Sequence, residues 1–176
     1  GLPFHDGPQC LIYRKDLLED AGLAERHKAA HGEALHVPET WEAFHRVAHT
    51  MTDAEAGRYG TCLAAYPDGH NTVYDFCIHL WTRGGALLDE RGHPTLQTPA
   101  ATAALDFYRQ LVADNSTTCP DAMQIDSVRS GELFGEGKVA LMTNWFGFAS
   151  YCHTGGGDAV RGKVGVAPIP AGPGGT

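Results

Sequence analysis

A short apolar run gives way to a group of aromatic rings in the stretch KVALMTNWFGFASYCHTGGG, residues 138–157. The run of residues 139–142 predicts a strand, since it is apolar, short and followed by small residues and glycine. It ends near polar Asn144, and Trp145 and two phenylalanines come next. Rings that lie just beyond a strand end belong either to the core or to the wall of a ligand cleft.

Strand and helix patterns alternate on the amino-terminal side of this stretch, and one more strand follows it. Strands are predicted at CLIY, RYGTCLAAY, KVALMTN and KVGVAPIP, and helices at VPETWEAFHRVAHTM, TVYDFCIHLWTRGG, PAATAALDFYRQLVAD and DSVRSGELFGEG. A helix-permissive segment after the first strand is predicted to stop at Gly22, before a polar, histidine-rich connection. This alternation predicts the α/β fold class.

Apolar stripes predict the buried faces of two of these helices. The predicted inward positions are Val73, Phe76, Cys77, Leu80 and Trp81 in the first, and Ala104, Leu105, Tyr108, Leu111 and Val112 in the second.

The charge pattern argues against a nucleic-acid partner. The chain has 13 Lys and Arg residues against 21 acids, a formal net charge of −8, and no basic run that would attract phosphates. No apolar run approaches the ~20 residues that a membrane span needs. The five cysteines form no CxxC pair and no zinc-type spacing with histidine, so one disulfide or none remains possible.

Motifs for catalysis or metal binding are weak. His45 and His49 lie four residues apart on a predicted helix, but the glutamate of an HExxH motif is missing, so we expect exposed histidines and no metal. The pair His5 and Asp6 lies in a segment rich in glycine and proline, and no GxSxG motif is present. We therefore expect no cofactor. A metal-binding or hydrolytic module that uses the histidines remains the alternative function.

Two segments place aromatic rings beside polar side chains at the ends of predicted elements. Residues 65–76, AYPDGHNTVYDF, form a turn before a helix, and residues 144–148, NWFGF, end a strand. Open α/β sheets hold ligands at strand ends and at the starts of the helices that follow. Flat rings stack on the apolar face of a sugar, while amide, carboxylate and imidazole groups bond its hydroxyls. The residues predicted to bind such a ligand are Trp145, Tyr74, Asn144, Asp68, His70, Asn71 and Tyr66.

Several segments together resemble a known family. They are CLIYRKDLLEDAGL, VPETWEAF, LWTRGGALLDERGHPTLQTPAATAALDFYRQL, GELFGEGKVALMTNW and VGVAPIPAGPGG. In this order and spacing they resemble the family 1 extracellular solute-binding proteins, the maltose-binding-like receptors of bacterial ABC sugar importers. The resemblance implies a periplasmic-binding-protein-like (type II) fold of two α/β lobes. Residues 1–176 would then be the second lobe only, cut near both crossing segments, with Gly1 and Thr176 near one edge.

The resemblance also implies a function. Such a receptor captures a carbohydrate between its lobes and delivers it to the permease subunits of an ABC transporter in the membrane. It is not an enzyme, and it is extracytoplasmic, either in the periplasm or on the cell surface as a lipoprotein.

Individual positions follow from the same resemblance. Tyr74 falls where the family often has a sugar-stacking aromatic residue, and Trp145 lies within a residue or two of another, although NWFGF departs from the commoner glycine-proline-tryptophan pattern. Gly7 falls near the place of a ligand-contacting acid, so that contact is lost or moves to Asp6 or Gln9. We therefore expect a carbohydrate other than maltose.

Overall fold

The computed structural model describes residues 7–173, and its elements alternate as the sequence predicts. In chain order they are β1 (Gln9–Arg14), α1 (Lys15–Leu18), α2 (Ala21–His31), α3 (Trp41–Met51), β2 (Tyr59–Cys62), α4 (Asn71–Trp81), α5 (Pro99–Ala113), a 3-10 turn (Ala122–Gln124), α6 (Ser127–Gly135), β3 (Val139–Trp145), α7 (Phe146–Thr154) and β4 (Val164–Ala167). The predicted α/β class is confirmed. Gly1, Asp6 and Thr176 lie outside the described residues, so the expectation about the two chain ends stays a prediction.

The strands form one mixed sheet in the order β2-β3-β1-β4. Strands β2 and β3 are parallel, and β1 is antiparallel to both β3 and β4. Since parallel strands end at the same edge of a sheet, the segments that follow Cys62 and Trp145 start from one edge. This edge carries the candidate functional site.

The sheet is buried on both faces. Leu11 and Leu141 pack with α3 on one face, while Ile12 and Met142 pack with α6 and α7 on the other. Successive side chains of a strand point to opposite faces, so a sheet covered on both sides selects gapless apolar runs. The apolar run before Asn144 is therefore a central strand.

The prediction for the polar segment after β1 is wrong. Helix α2 runs through Gly22, because the Asp20 carboxylate accepts a hydrogen bond from the backbone N–H of Leu23 at 2.8 Å and caps the helix. It ends at Gly32, whose φ of 74° suits a residue without a Cβ. Apart from His27, the side chains of α2 are exposed or only partly buried, so no apolar stripe marked this helix in the sequence.

The predicted stripes are also wrong at three positions. Val73, Trp81 and Leu105 are 49%, 54% and 47% exposed, respectively. Helix α4 instead buries polar residues spaced by one turn, with Arg83 just beyond its end. These residues are Asn71, Asp75, His79 and Arg83.

The buried polar residues of α4 join it to α5 and α3. The hydroxyl of Tyr108 on α5 donates to Asp75 Oδ2 at 3.5 Å, and burial raises the pKa of Asp75 to about 7. Burial also lowers the pKa of His79 to about 3, and its ring centroid lies 4.2 Å from that of Trp41. A hydrogen-bonded acid and a neutral imidazole therefore stand where the sequence pattern predicts apolar side chains.

We expect the Asp75→Asn variant to be more stable than the wild type at pH 8. The pKa of Asp75 is raised in the folded state, so its contribution is favourable below its unfolded pKa of 3.8 and is lost as the pH rises through about 7. The gain at pH 8 should reach up to ~4 kcal/mol in the free energy of unfolding and vanish near pH 4. Urea unfolding across this pH range measures it.

Asp106→Asn is the matched control, because this exposed carboxylate lies on α5. If the free energy of unfolding depended on pH in the same way for the wild type and Asp75→Asn, the raised pKa of Asp75 would be contradicted.

Candidate functional site

Three rings from two segments meet at the sheet edge and form what we call the aromatic cluster, His70, Tyr74 and Trp145. The ring centroids of Tyr74 and Trp145 lie 5.4 Å apart in an edge-to-face arrangement at 85°. His70 contacts Tyr74 edge-on at 4.7 Å and lies nearly parallel to Trp145 at 6.4 Å and 21°. Tyr74 is 39% exposed and Trp145 is half-buried. The structure thus brings the two predicted stacking residues together on one open surface.

The turn before α4 is held by the carboxylate of Asp68. Its Oδ1 accepts from the backbone N–H groups of His70 and Asn71 at 2.8 and 2.9 Å, and its Oδ2 accepts from Asn71 Nδ2 at 2.8 Å. These hydrogen bonds, led by that from the His70 backbone, hold the pKa of Asp68 below its usual range. Gly69 supplies the left-handed backbone of the turn with a φ of 70°. Asp68 therefore fixes the start of α4, and with it the position of His70.

Asn144 requires a correction, since its side chain does not reach the open surface. It is 2% exposed, and its Nδ2 donates to Ser127 O and Ser130 Oγ, both at 2.9 Å. Its Oδ1 accepts from the backbone N–H of Trp145 at 2.7 Å. The amide joins β3 to α6 and positions Trp145. Asn71 is corrected in the same way, because it is buried and its amide is bonded to Asp68.

We expect Asn144→Ala to lower the free energy of unfolding by ~2–4 kcal/mol. The substitution leaves the Ser130 hydroxyl and the Trp145 N–H without these partners, and each unpaired buried group costs ~1–3 kcal/mol. Chemical denaturation measures the loss, and Ser150→Ala on the exposed side of α7 serves as the control. An unchanged stability together with lost ligand binding would return Asn144 to the ligand surface.

The remaining predicted residues lie around the aromatic cluster. Tyr66 is exposed and begins the turn, anchored by a hydrogen bond from its backbone N–H to Ile125 O at 3.0 Å. Gln9 is the register partner of Trp145 across β1 and β3. Its buried Oε1 has no hydrogen-bond partner among residues 7–173. Gln9 therefore lies beside the Trp145 strand position with its Oε1 buried, whereas Asp6 lies outside the described residues.

Helix α7 was missed by the sequence analysis and adds a second aromatic surface. A pocket of ≈ 570 Å³ is lined by Gly7, Trp145, Gly147, Phe148 and Tyr151. The sequence gives little sign of this helix, because its aromatic residues do not follow a helical stripe and two of them, at 146 and 151, are exposed. Trp145 thus borders both the aromatic cluster and this pocket.

Another pocket, of ≈ 590 Å³, lies along α5 and reaches the 3-10 turn. Leu105, Arg109 and Met123 are among its lining residues. Tyr108 is the one aromatic residue among the described lining residues, and it is buried with its hydroxyl bonded to Asp75. This pocket offers no exposed ring face, so the sheet edge is the stronger candidate site.

The histidines and thiols do not form a reactive centre among the described residues. Within that range no cluster of at least three His, Cys, Asp or Glu side chains is suited to a metal. His45 Nε2 is bonded to Asp114 Oδ2 at 2.8 Å. All five cysteines are unpaired, and burial raises the pKa of the Cys10 and Cys152 thiols to about 11. These thiols are therefore protonated and poor nucleophiles at neutral pH.

Comparison with known proteins finds one family along nearly the whole chain. The model described as "Bacterial extracellular solute-binding protein" matches residues 2–176. A probable ABC transporter-binding protein of Deinococcus radiodurans is 27% identical over 181 residues, which cover 99% of this chain and 39% of the relative.

Solved structures give the same picture. A maltose-bound structure of T. maritima MalE3 is 32% identical with a TM-score of 0.78, over 96% of this chain and 39% of that one. A solute-binding protein of an ABC transporter from Agrobacterium radiobacter K84, in complex with ribitol, is 30% identical with a TM-score of 0.80, over 99% and 40%. This chain therefore spans about two fifths of the length of these proteins. In residues 7–173 no helix has the length and apolar character needed to cross a membrane.

Proposed function

Because this chain belongs to the bacterial extracellular solute-binding protein family, we propose that it is one lobe of a receptor that captures a carbohydrate for an ABC importer. The carbohydrate would close between this lobe and a second one, and the permease subunits in the membrane would receive it. We propose that the receptor lies outside the cytoplasm, in the periplasm or on the cell surface as a lipoprotein, and the description of the family as extracellular supports this. Residues 1–176 would form the single lobe, cut near both crossing segments.

The aromatic cluster is the observation that carries this proposal. The exposed ring of Tyr74 meets the half-buried ring of Trp145 edge to face at the end of β3, and rings of this kind stack on the apolar face of a sugar. His70 and Tyr66 add polar groups that are suited to hydroxyls. The maltose and ribitol in the two similar structures are polyhydroxylated compounds, which supports the same ligand class here.

Two of the polar residues serve this site indirectly. The Asp68 carboxylate accepts hydrogen bonds from the backbone of His70 and from the backbone and side chain of Asn71. Asp68 and Asn71 therefore hold the start of α4, and with it His70 and Tyr74, in place. Gly7 lies beside Trp145 in the pocket of α7 and carries no carboxylate, which supports a ligand other than maltose. Gln9 and Asp6 are the proposed replacements for that contact.

We propose no catalytic step for this chain, because the proteins of this family are transport receptors. The alternative, a metal-binding or hydrolytic module that uses the histidines, has less support, since His45 is bonded to a single carboxylate, Asp114. A zinc titration that shows binding by the wild type and loss on His45→Ala would favour that alternative.

We expect Trp145→Ala and Tyr74→Ala in the full-length protein to weaken carbohydrate binding at least ~10-fold each. Each removes a stacking ring, and tenfold corresponds to ~1.4 kcal/mol. Calorimetric titration with a panel of sugars measures the affinities, and thermal unfolding checks that the fold is kept. Trp81→Ala is the matched control, because this ring is 54% exposed at the far end of α4. If Trp145→Ala left the affinity for every sugar of the panel unchanged but strongly lowered the melting temperature, Trp145 would be a core residue and not a ligand contact.

We also expect residues 1–176 alone to bind any sugar at least ~100-fold more weakly than the full-length protein. Enclosure between two lobes excludes water and buries both faces of a sugar ring, whereas one lobe offers a single wet surface. Titration of both proteins with the same sugar measures the difference. Equal affinities would show that the second lobe is not part of the site.

A further inference from the structure

Two of the five cysteines stand opposite each other at β2, the edge strand of the sheet. The backbone N–H of Thr61 donates to Thr117 O at 3.1 Å, and the N–H of Cys119 donates to Thr61 O at 2.8 Å. These bonds set a parallel register in which Cys62 stands opposite Cys119, one position beyond the bridge at Thr61. The segment of residues 117–119 therefore runs along β2 like a short additional strand.

This register brings the two cysteine side chains to the same face of the sheet. Residues paired across neighbouring strands point to one face, and the strands lie about 4.8 Å apart. A disulfide needs Cα atoms ~4.4–6.8 Å apart, so a register pair lies within its reach. The Cys62 thiol donates to Ser130 O of α6 at 3.9 Å, and Cys119 packs against the core cluster that contains Cys62. Both thiols therefore lie on the α6 side of the sheet.

The other three cysteines are less well placed to pair with Cys62. Cys10 lies in β1, which β3 separates from β2. Cys77 lies on α4, outside the sheet. Cys152 lies on α7 and shares the core cluster with Cys62, so it is the strongest competitor. Cys119 differs from all three because backbone hydrogen bonds hold its segment in register with β2.

The two thiols of this pair differ in exposure. Cys62 is 1% exposed, whereas Cys119 is only partly buried, so a dissolved oxidant reaches Cys119 first. Burial raises the pKa of both thiols, and the nearby Cys119 is the next cause of the raised pKa of Cys62. Because the thiolate is the reacting form, a reaction between them is faster at alkaline than at neutral pH.

We propose that Cys62 and Cys119 are a disulfide site that closes when the protein meets a small disulfide oxidant such as oxidised glutathione. The Cys119 thiolate attacks one sulfur of the oxidant, the S–S bond of the oxidant breaks, and one glutathione leaves as its thiolate. The Cys62 thiolate then attacks the Cys119 sulfur and displaces the second glutathione. Two electrons pass from the cysteines to the oxidant, and the two thiol protons end on the two glutathione molecules.

This site goes beyond the proposed function and is independent of any ligand. The proposed location outside the cytoplasm is an environment in which disulfides form and persist.

The cross-link supports the turn that precedes α4. It closes residues 62–119 into one covalent loop, which contains α4 and α5. After Cys119 the chain reaches Ile125, whose carbonyl accepts from the backbone N–H of Tyr66 at 3.0 Å. The segment of residues 119–125 thus braces the chain between β2 and Tyr66, and the disulfide makes the first of these contacts covalent. A closed loop also restricts the unfolded chain, which stabilises the fold.

The test treats the full-length protein with oxidised glutathione at mildly alkaline pH and maps its disulfides by mass spectrometry of unreduced peptides. We expect a pair of peptides joined through Cys62 and Cys119, lighter by two hydrogen atoms and separated by a reductant. The oxidised protein should melt at least ~5 °C above the reduced protein. Cys119→Ser should abolish both the linked peptides and the shift in melting temperature.

Cys152→Ser is the matched control, because it removes a buried thiol of the same core cluster on α7. We expect it to keep the linked peptides and the shift. Peptides that join Cys62 to Cys152, glutathione that stays attached to Cys119, or five free thiols after oxidation would each overturn the disulfide site. Sugar titration is a separate measurement, so a failure of the disulfide leaves the proposed function standing, and a protein that binds no sugar leaves the disulfide standing.

Discussion

Strand β3 is bonded at both edges and covered on both faces, and the position of the candidate site depends on this constraint. Parallel pairing with β2 places the ends of both strands at one edge, while antiparallel pairing with β1 locks the register against Gln9. Leu141 and Met142 are fully buried on opposite faces, so a slip of one residue would exchange two differently packed faces. Because of the same alternation, the side chain of Asn144 is buried against α6, whereas that of Trp145 is only partly buried at the sheet edge. The rigid central strand therefore sets the position of the Trp145 ring.

Helix α4 connects this surface to the interior by a different kind of contact. The adjacent residues Tyr74 and Asp75 lie on opposite sides of the helix. The ring of Tyr74 is exposed at the surface, and the carboxyl group of Asp75 is buried in the core. Asp75 lowers stability at neutral pH because its pKa is raised, and its partner Tyr108 only partly compensates. The helix is therefore fixed both by these directional polar contacts and by Leu80, which packs against Ala101 and Ala104 of α5. This rigidity suits a surface that must present rings at set angles.

Some features followed from the sequence because local signals and tertiary structure agree. The gapless run before Asn144 matches a strand buried on both faces, and Trp145 and Tyr74, which the sequence predicts to lie on one surface, have ring centroids 5.4 Å apart. Other features did not follow. Helix α2 has no buried apolar stripe, and α4 buries Asp75 and His79 where the periodicity predicts Val73 and Trp81. The hydrogen-bond partner of Asp75 is Tyr108, 33 residues further along the chain, and one sequence does not reveal this pairing.

The roles of the amides were the hardest to foresee. A polar side chain beside a ring suggests a ligand contact, yet Asn144 and Asn71 are buried and bonded to their own neighbours. The position of the Phe148 ring depends on what is missing, since a Cβ at Gly131 would lie 2.3 Å from Phe148 Cδ1. The sequence predicts a helix around Gly131 but not the ring that packs against it.

The three tryptophans of the chain occupy three different environments. Trp41 is buried at 2% exposure, Trp81 is largely in water, and Trp145 lies between the two at the candidate site. Indole emission depends on the polarity around the ring, so Trp41 contributes a constant blue component and Trp81 a red component accessible to a soluble quencher. Trp145 alone would change its environment when a ligand covers it. The molecule therefore contains its own optical reporter, in which occupancy of the sheet edge can be followed without a label.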